Sequence, residues 1–210
     1  MDSIRPSTAT RTASRATVVA AAIEEIDALP YGGGDVTLAA IAKRVGIAAP
    51  SLYKHVSSSA DLHRGVATEC VRELREQLTD AVLGRAGPDA VRALMFRMRE
   101  FARQHPGRYA ATQRAADLAD PDDAELAAES ERLIRVIAAC LADYAFAEEK
   151  MIDAIRVVRS AAHGFIVLEL GGGFGLPHSV DRTFDTLVEM IVRAVDGLRA
   201  PEGRSEGARS

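Results

Sequence analysis

Apolar residues recur along most of this chain every three or four positions, which places them on one face of an α-helix. The segment 180–198 shows the pattern most clearly, because its apolar residues keep this spacing over its whole length. No segment shows a convincing strand pattern, and we therefore predict an all-α fold of about nine helices. The predicted helices are 13–29, 38–45, 49–56, 59–84, 89–105, 108–118, 122–146, 148–170 and 180–198.

The composition favours the same fold class. Alanine and the aliphatic residues dominate the 48% apolar content, aromatic residues make up only 5%, and there is no Trp. Alanine is the strongest helix former, and runs of β-branched residues are short here. A chain of 210 residues can bury a core without disulfides or metals.

Breaks rich in glycine and proline divide the helices into two units. The first three helices form a compact unit of residues 13–58, and the other six build a larger unit of residues 59–200. Residues 1–12 are rich in Ser, Thr and Arg and are predicted to be a flexible arm, and the polar residues 201–210 a disordered tail.

The second and third predicted helices have the features of a helix-turn-helix. Gly46 lies between them and can adopt a left-handed turn. The second of the pair begins with small residues, which fit a major groove about 12 Å wide. Residues 36–60 carry three Lys or Arg side chains and no Asp or Glu, a balance that suits DNA. An ordinary helical hairpin with a solvated face has the same pattern, so this pattern alone leaves both interpretations open.

The residues themselves are more specific than the pattern. The stretch TLAAIAKRVGIAAPSLYKHVSSSADL (37–62) combines a Thr cap, an Ile-Ala pair, a Gly, small residues, Leu-Tyr-x-His and a Ser helix start. It resembles the DNA-binding signature of the tetracycline-repressor (TetR) family of bacterial regulators. The resemblance implies an all-helical homodimer, a repressor or activator whose N-terminal helices bind double-stranded operator DNA. It also implies C-terminal helices that dimerise and hold a small-molecule effector, and we expect a repressor that this effector releases.

The same resemblance implies which residues contact DNA. By position, Thr37, Tyr53 and His55 would contact phosphates. The residues that would face the groove are Ala48, Ala49, Pro50, Ser51 and Lys54. The remaining members of the predicted DNA surface are Lys43, Arg44 and Ser59. Alanine and proline cannot form bidentate hydrogen bonds to bases, so we expect thymine methyl contacts and DNA shape to carry more of the readout.

One position departs from the family pattern. The family usually has Lys at the start of its fourth helix, where this chain has Ser59. The phosphate contact is then either missing or supplied by the helix N-terminus and the hydroxyls of residues 57–59. Arg11 and Arg15 could replace it from the N-terminal arm, and could equally be solvated side chains.

A second resemblance covers the C-terminal helices. The stretch AAHGFIVLELGGGF, followed by DRTFDTLVEMIVRAVDGL, resembles a TetR-family C-terminal type marked by a Trp-His-Gly motif, with Ala162 in place of the Trp. It implies that the helices near 149–171 and 179–199 build a four-helix dimer interface, and their apolarity supports this independently. The predicted interface residues are Ile166, Leu170, Phe184, Leu187, Val188, Ile191 and Val195.

Soft and aromatic side chains in the larger unit are candidates for an effector pocket. Methionine and aromatic stripes also pack ordinary cores, so core packing is the alternative for each of them. The candidates are Met95, Met98, Phe101, His105, Tyr109, Tyr144, His163 and Phe165.

The sequence predicts no catalytic residues, no cofactor and no metal site. The five His residues are scattered, and the two Cys residues have no neighbour at metal-ligand or redox spacing. The glycine run that begins at residue 171 follows no predicted strand and is interpreted as a helix terminator rather than a phosphate loop.

The remaining bulk properties bear on location and on other function classes. No apolar run reaches the ~18 residues of a membrane span, and we expect a cytoplasmic protein. A net charge of −4 argues against a protein that coats nucleic acid with its whole surface. Two alternatives stay open: an enzyme that uses carboxylates or histidines, and a helical interaction or ligand-binding protein of the same fold with weakened DNA binding.

Overall fold

The computed structural model describes residues 13–29, 31–32, 34 and 36–198, and these residues form nine α-helices and no strand. The all-α prediction is therefore confirmed. The predicted arm and tail, with Arg11, lie outside the described residues. The helices are α1 Arg15–Asp27, α2 Leu38–Val45, α3 Ala49–Leu52, α4 Ser59–Val82, α5 Gly87–Gln104, α6 Pro106–Ala111, α7 Ala124–Cys140, α8 Glu148–Leu170 and α9 Val180–Gly197. Two short 3₁₀ turns, Pro121–Asp123 and Ala142–Tyr144, flank α7.

Helix ends follow local signals closely. The hydroxyls of Thr37, Ser58 and Ser179 accept hydrogen bonds from the backbone N–H three residues further on, at 3.2, 3.0 and 3.3 Å. These bonds satisfy amide groups that the first turn of a helix leaves without a partner. Gly46 ends α2 with φ of +78°, a conformation that favours glycine. All four ends agree with the sequence prediction.

Three helices are clearly shorter than predicted, and one of them is α7, which was predicted over 122–146 but covers only Ala124–Cys140 before a 3₁₀ turn. The predicted helix 49–56 is helical only over Ala49–Leu52, and tight turns follow, in which His55 N–H donates to Leu52 O at 2.8 Å. The predicted helix 108–118 lies instead at Pro106–Ala111. The chain after Ala111 is held as a loop because the Asp123 carboxylate accepts a hydrogen bond from Asp117 N–H at 2.8 Å.

The interior contains two main apolar clusters that share α4. The N-terminal cluster joins α1, α2 and α3 to the first half of α4, through residues such as Val18, Ile41, Leu52 and Leu62. The C-terminal cluster begins in the second half of α4, at Leu74, and extends through α5 to α9. The unit formed by α1, α2 and α3 therefore rests on a helix that continues directly into the larger unit.

A buried arginine fastens the end of α8 to the start of α9. Arg99 on α5 is 6% exposed, and it donates to Glu169 at 2.7 Å and to Asp181 at 2.6 Å. Its guanidinium lies 5.5 and 4.7 Å from the ring centroids of Phe165 and Phe184. The Glu of the LELGGGF stretch is therefore part of a structural clasp, which we call the Arg99 clasp.

Replacing Arg99 with Met is expected to lower the free energy of unfolding by about 2–4 kcal/mol, because it leaves the partly buried Glu169 carboxylate without its partner. Urea denaturation monitored by circular dichroism measures this change. Arg97→Met is the matched control on the same helix, since within the described ranges Arg97 pairs only with the exposed Glu100. Equal stability losses in the two variants would contradict the role of the clasp.

The stability difference between wild type and Arg99→Met is expected to depend on pH. Arg99 lowers the pKa of the Asp181 carboxyl through a hydrogen bond and its positive charge. A lowered pKa in the folded state stabilises the protein above the unfolded pKa of about 3.9, and this contribution is lost as the pH falls through the folded value. The difference in stability between wild type and Arg99→Met should therefore shrink below about pH 4.

Candidate DNA-binding surface and effector region

The α2–α3 corner presents a narrow surface of small residues and one exposed aromatic ring. Leu52 and Val56 are at most 1% exposed and anchor this corner in the N-terminal cluster. On the outer side, Tyr53 is 57% exposed. The other exposed members of the predicted surface are Thr37, Lys43, Arg44, Ala48, Ala49, Pro50, Lys54 and Ser59, and Ser51 and His55 are partly buried.

Three polar side chains of this corner have no intramolecular partner among the described residues. Tyr53, Lys54 and Lys43 take part in no side-chain hydrogen bond, ion pair or ring contact in that part of the chain. Their donors are available to an external acceptor, and a DNA phosphate oxygen is such an acceptor.

Arg44 is placed differently from the other cations. It is exposed, but its guanidinium pairs with Glu24 at 3.1 Å and forms a second, shorter pair with Glu25. Both carboxylates belong to α1, so Arg44 holds α2 against α1. The predicted DNA contact of Arg44 would require it to give up these pairs.

An ion pair between Asp61 and Arg15 lies at the start of α4, which begins at Ser59. The Asp61 carboxylate accepts from Ser57 N–H at 2.8 Å and forms an ion pair with Arg15 at 2.8 Å. Partial burial raises the pKa of Asp61, but these hydrogen bonds outweigh it and lower the pKa overall. Asp61 thus stays negative near the helix start, and Arg15 neutralises it. The two residues Ser58 and Asp61 do not form a complete capping box, because Ser58 accepts from Asp61 N–H while the Asp61 carboxylate accepts from Ser57 N–H and not from Ser58 N–H.

Most residues predicted to line an effector pocket lie together in the C-terminal cluster. Met95, Phe101 and Tyr109 have no exposed surface, and Phe165 is 8% exposed because it packs beside Arg99. His105 lies at the end of α5, where its ring is 5.6 Å from the ring of Phe101 and its Nδ1 is 3.7 Å from the Asp27 carboxylate of α1. The other cluster members among the predicted set are Met98 and Tyr144.

Tyr109 and His163 form a polar contact inside this apolar region. The Tyr109 hydroxyl lies 2.9 Å from His163 Nδ1 and joins α6 to α8. Burial raises the pKa of Tyr109, and burial together with the charge of Arg159 lowers the pKa of His163. Both shifts favour the uncharged forms, so this is a hydrogen bond between neutral groups at neutral pH.

Converting Tyr109 to Phe is expected to lower the free energy of unfolding by about 1–2 kcal/mol, because it leaves the His163 nitrogen without its partner. A double-mutant cycle with His163→Gln, measured by urea denaturation, isolates the pair. The expected coupling energy is on the order of 1 kcal/mol. Stability losses that simply add would show that the two side chains act independently.

The start of α6 is also joined to α1 and α4, through contacts that the sequence does not indicate. Arg108 donates to the Asp27 carboxylate of α1 at 2.9 Å and to the Glu73 carboxylate of α4 at 2.8 Å. A Cβ at Gly107 would lie only 2.3 Å from the Ile26 carbonyl oxygen, so no larger residue fits. Residues 107–109, which we call the α6 junction, therefore contact α1, α4 and α8. The only sequence signal was the Pro-Gly pair, which indicates a helix break and not a contact.

The predicted dimer-interface residues divide into two groups. One group has no more than 1% exposure and packs in the protomer's own C-terminal cluster: Ile166, Phe184, Val188 and Val195. The other group is partly buried at the edge of that cluster: Leu170, Leu187 and Ile191. Side chains without exposed surface cannot bury area against a partner, so the prediction for the first group is corrected. Their regular spacing reflects packing within one protomer.

A different set of residues forms an exposed stripe on α8 and α9. Leu168 is 53% exposed, Met190 is 62% exposed and Val157 is 40% exposed. Gly164 and Ala194 are exposed at helical spacing from these residues. Val157 adjoins the buried Val158, so on α8 the stripe is turned about 100° from the core face. We call Val157, Gly164, Leu168, Met190 and Ala194 the exposed stripe.

Membrane-spanning helices and metal sites are both absent from the described residues. No helix in the described ranges is long and apolar enough to cross a membrane, and no group of His, Cys, Asp or Glu side chains there could hold a metal ion. Cys70 and Cys140 are buried and free, and burial raises the pKa of their thiols to about 12 and about 11. Such thiols are unreactive at neutral pH.

Comparison with known proteins agrees with these features. Residues 91–191 match the family described as tetracyclin repressor-like, C-terminal domain. The uncharacterised HTH-type transcriptional regulator Rv0681 of Mycobacterium tuberculosis is 32% identical over 185 residues, 88% of this chain and 81% of the relative. The HTH-type regulator YobS of Bacillus subtilis is 32% identical over 152 residues, 72% of this chain and 76% of the relative.

A solved structure shares the fold. It is a TetR protein from Acinetobacter baumannii in complex with minocycline, which is 15% identical and has a TM-score of 0.66 over 90% of this chain and all of its own. Both sequence relatives are HTH-type transcriptional regulators. Two helix-turn-helix regulators align with most of the chain and its C-terminal half fits a tetracycline-repressor domain, so the chain belongs to the TetR family of transcriptional regulators.

Proposed function

We propose that this regulator is a repressor that binds a double-stranded operator as a homodimer and is released by a small-molecule effector. The observation that carries the proposal is the α2–α3 corner, where polar side chains without a partner among the described residues surround a narrow face of small residues. Its named relatives are bacterial, and operator binding implies that it works in the cytoplasm, with the chromosome.

Tyr53, His55 and Thr37 are proposed to contact the DNA phosphates. The exposed Tyr53 and the Lys54 ammonium, which has no partner in the described part of the chain, are the two groups best placed to reach DNA. Ala48, Ala49 and Pro50 allow close approach to the groove without donating hydrogen bonds. We therefore expect modest direct base readout, with Lys54 as its main donor.

The dimer is proposed to form through the exposed stripe. An operator with two half-sites requires two recognition helices held at a defined separation, which a homodimer supplies. Gly164 and Ala194 permit close approach of helices, and Leu168 and Met190 supply apolar area.

The effector is proposed to bind among the buried aromatic and methionine side chains near Tyr109. The TetR relative with minocycline bound supports a small-molecule ligand for the fold. A ligand there would have to displace Tyr109 from His163, and Tyr109 belongs to the α6 junction. Movement of α6 would then act on α1 through Arg108 and Asp27, and on through α2 to α3. This is a path by which ligand binding could alter the recognition helix.

Footprinting on the DNA upstream of its own gene tests the proposal. We expect a protected site with two related halves, and an affinity that falls steeply with salt because binding releases counterions from the phosphates. Selection from random DNA extends the search if that region is not the operator. Failure to enrich any sequence at about 50 mM salt would contradict the proposal, and would favour a ligand-binding protein with weakened DNA binding.

Ser59→Lys provides a test at the position that departs from the family pattern. The added ammonium at the start of α4 is expected to add one phosphate contact per protomer, which raises operator affinity and steepens the salt dependence by about 0.9 per contact. Gel shifts over a salt series measure both quantities. Ser59→Gln is the control of similar length without charge. No change in slope for Lys would show that this position lies away from DNA.

A further inference from the structure

We propose a second small-molecule site between the DNA-binding unit and α6, which takes a compact carboxylate with an apolar body. The structure contains a cavity of about 320 Å³ bounded by α1, α2, α4 and α6. It is separate from the proposed effector region, because its floor belongs to the N-terminal cluster and Tyr109 and its neighbours belong to the C-terminal cluster. Its existence does not depend on the proposed function.

The floor of this cavity is apolar. Ile26, Val36 and Ala111 line it and are partly buried, so an apolar ligand body would cover surface that they still expose to water. At its α6 end the cavity is bounded by Gly107, which packs closely against the Ile26 carbonyl. A dry cavity of 150 Å³ holds benzene, so this volume suits a ligand of about a dozen non-hydrogen atoms.

Two polar side chains lie at the rim, and both have unused donors. Among the described residues, the His63 side chain has no hydrogen bond, ion pair or ring contact. Arg114 has one ion pair, with Asp123 at 3.8 Å, which is too long for a hydrogen bond. Asp123 is already held by Arg64 and by the backbone of Asp117.

These positions define the chemistry of the ligand. A planar guanidinium with free N–H groups at the mouth of an apolar cavity fits a carboxylate, which it can bind with two parallel hydrogen bonds. The His63 ring can donate a further hydrogen bond to the same group. The ligand would therefore lie with its apolar body between the helices and its carboxylate at the surface.

The position also gives the site regulatory potential. The cavity wall is contributed by α1 and α2 on one side and by α4 and α6 on the other. An occupant contacts the DNA-binding unit and the α6 junction together.

Calorimetric titration of the full-length protein with 4-phenylbutyrate tests the site, with 4-phenylbutanamide as the uncharged analogue of the same size. For a ligand of this size we expect the acid to bind with a dissociation constant of about 0.1–1 mM. The amide should bind about tenfold more weakly, because it lacks the charge-assisted hydrogen bonds.

Variants locate the binding. Arg114→Gln should weaken the acid about tenfold and leave the amide unchanged, whereas Arg135→Gln, a matched change on the exposed face of α7, should affect neither. Ala110→Phe fills the cavity and should abolish binding of both compounds, with circular dichroism as the check on folding. If Ala110→Phe does not fold, the arginine pair still decides the question.

The site is overturned if the acid and the amide bind equally, or if Arg114→Gln and Arg135→Gln give the same affinities. This titration contains no DNA, so it fails separately from the proposed function. Specific binding of the acid without any operator binding would leave the site standing and remove the repressor. Operator binding without a preference for the acid would support the repressor and rule out the site.

Discussion

Replacing Leu168 and Met190 together with Glu is expected to convert the proposed dimer to a monomer. Both side chains are more than half exposed in the protomer, at 53% and 62%. Burying each one against a partner contributes about 1.5–3 kcal/mol, and the symmetry of the dimer doubles the contribution. Glutamates at these positions would also place like charges across the interface. The dimer dissociation constant should rise at least about a thousandfold.

Sedimentation velocity over a concentration series measures this change. Leu118→Glu is the matched control, because Leu118 is 88% exposed in the loop before α7 and away from both helices of the stripe. The control should remain dimeric. Because a monomer reaches only one half-site, the double variant should also lose specific operator binding. A double variant that stays dimeric would show that the exposed stripe is not the interface.

Replacing Tyr53 with Phe, or Lys54 with Ala, is expected to lower operator affinity, which is the second large effect. Each contact contributes about 1–3 kcal/mol, and a symmetric dimer makes it twice. The two substitutions should differ in kind. Loss of the Tyr53 hydroxyl removes a phosphate contact and should weaken binding to all sequences about equally. Loss of Lys54 removes the main groove donor and should relax sequence preference.

Gel shifts against the operator and against scrambled DNA separate these outcomes. Lys150→Ala serves as the control, because Lys150 lies on α8, where it donates to the Leu198 carbonyl at 3.1 Å. It should change neither affinity nor preference. If Tyr53→Phe and Lys54→Ala bind like the control, the α2–α3 corner is not the DNA surface.

The elements that the sequence predicts well depend on contacts within a few residues. Thr37, Ser58 and Ser179 cap helices by accepting hydrogen bonds from the backbone N–H three residues further on. Gly46 ends α2 because glycine readily adopts the left-handed conformation found there. The all-helical fold likewise follows from apolar spacing within each segment. The DNA-binding segment was recognisable for the same reason, because its residues are contiguous in the chain.

Contacts across long sequence separations were not predictable. Arg108 meets Asp27 across 81 residues, and Arg99 meets Glu169 across 70. The sequence marked the Glu169 stretch as similar to a family motif but did not indicate its partner. Nor did the length of α6 follow from local pattern, because the loop after it is held by Asp123 from the next turn.

The sequence by itself determined that the chain is helical, where most of its helices begin and end, and which short segment belongs to a DNA-binding family. Only the tertiary structure decided which apolar residues of α8 and α9 lie inside the protomer. Phe184 and Val188 on one face and Met190 on another are all apolar in sequence, but the first two are buried and the third is exposed. Periodicity identifies an apolar face, whereas the packing of neighbouring helices determines how much of it remains exposed to a partner.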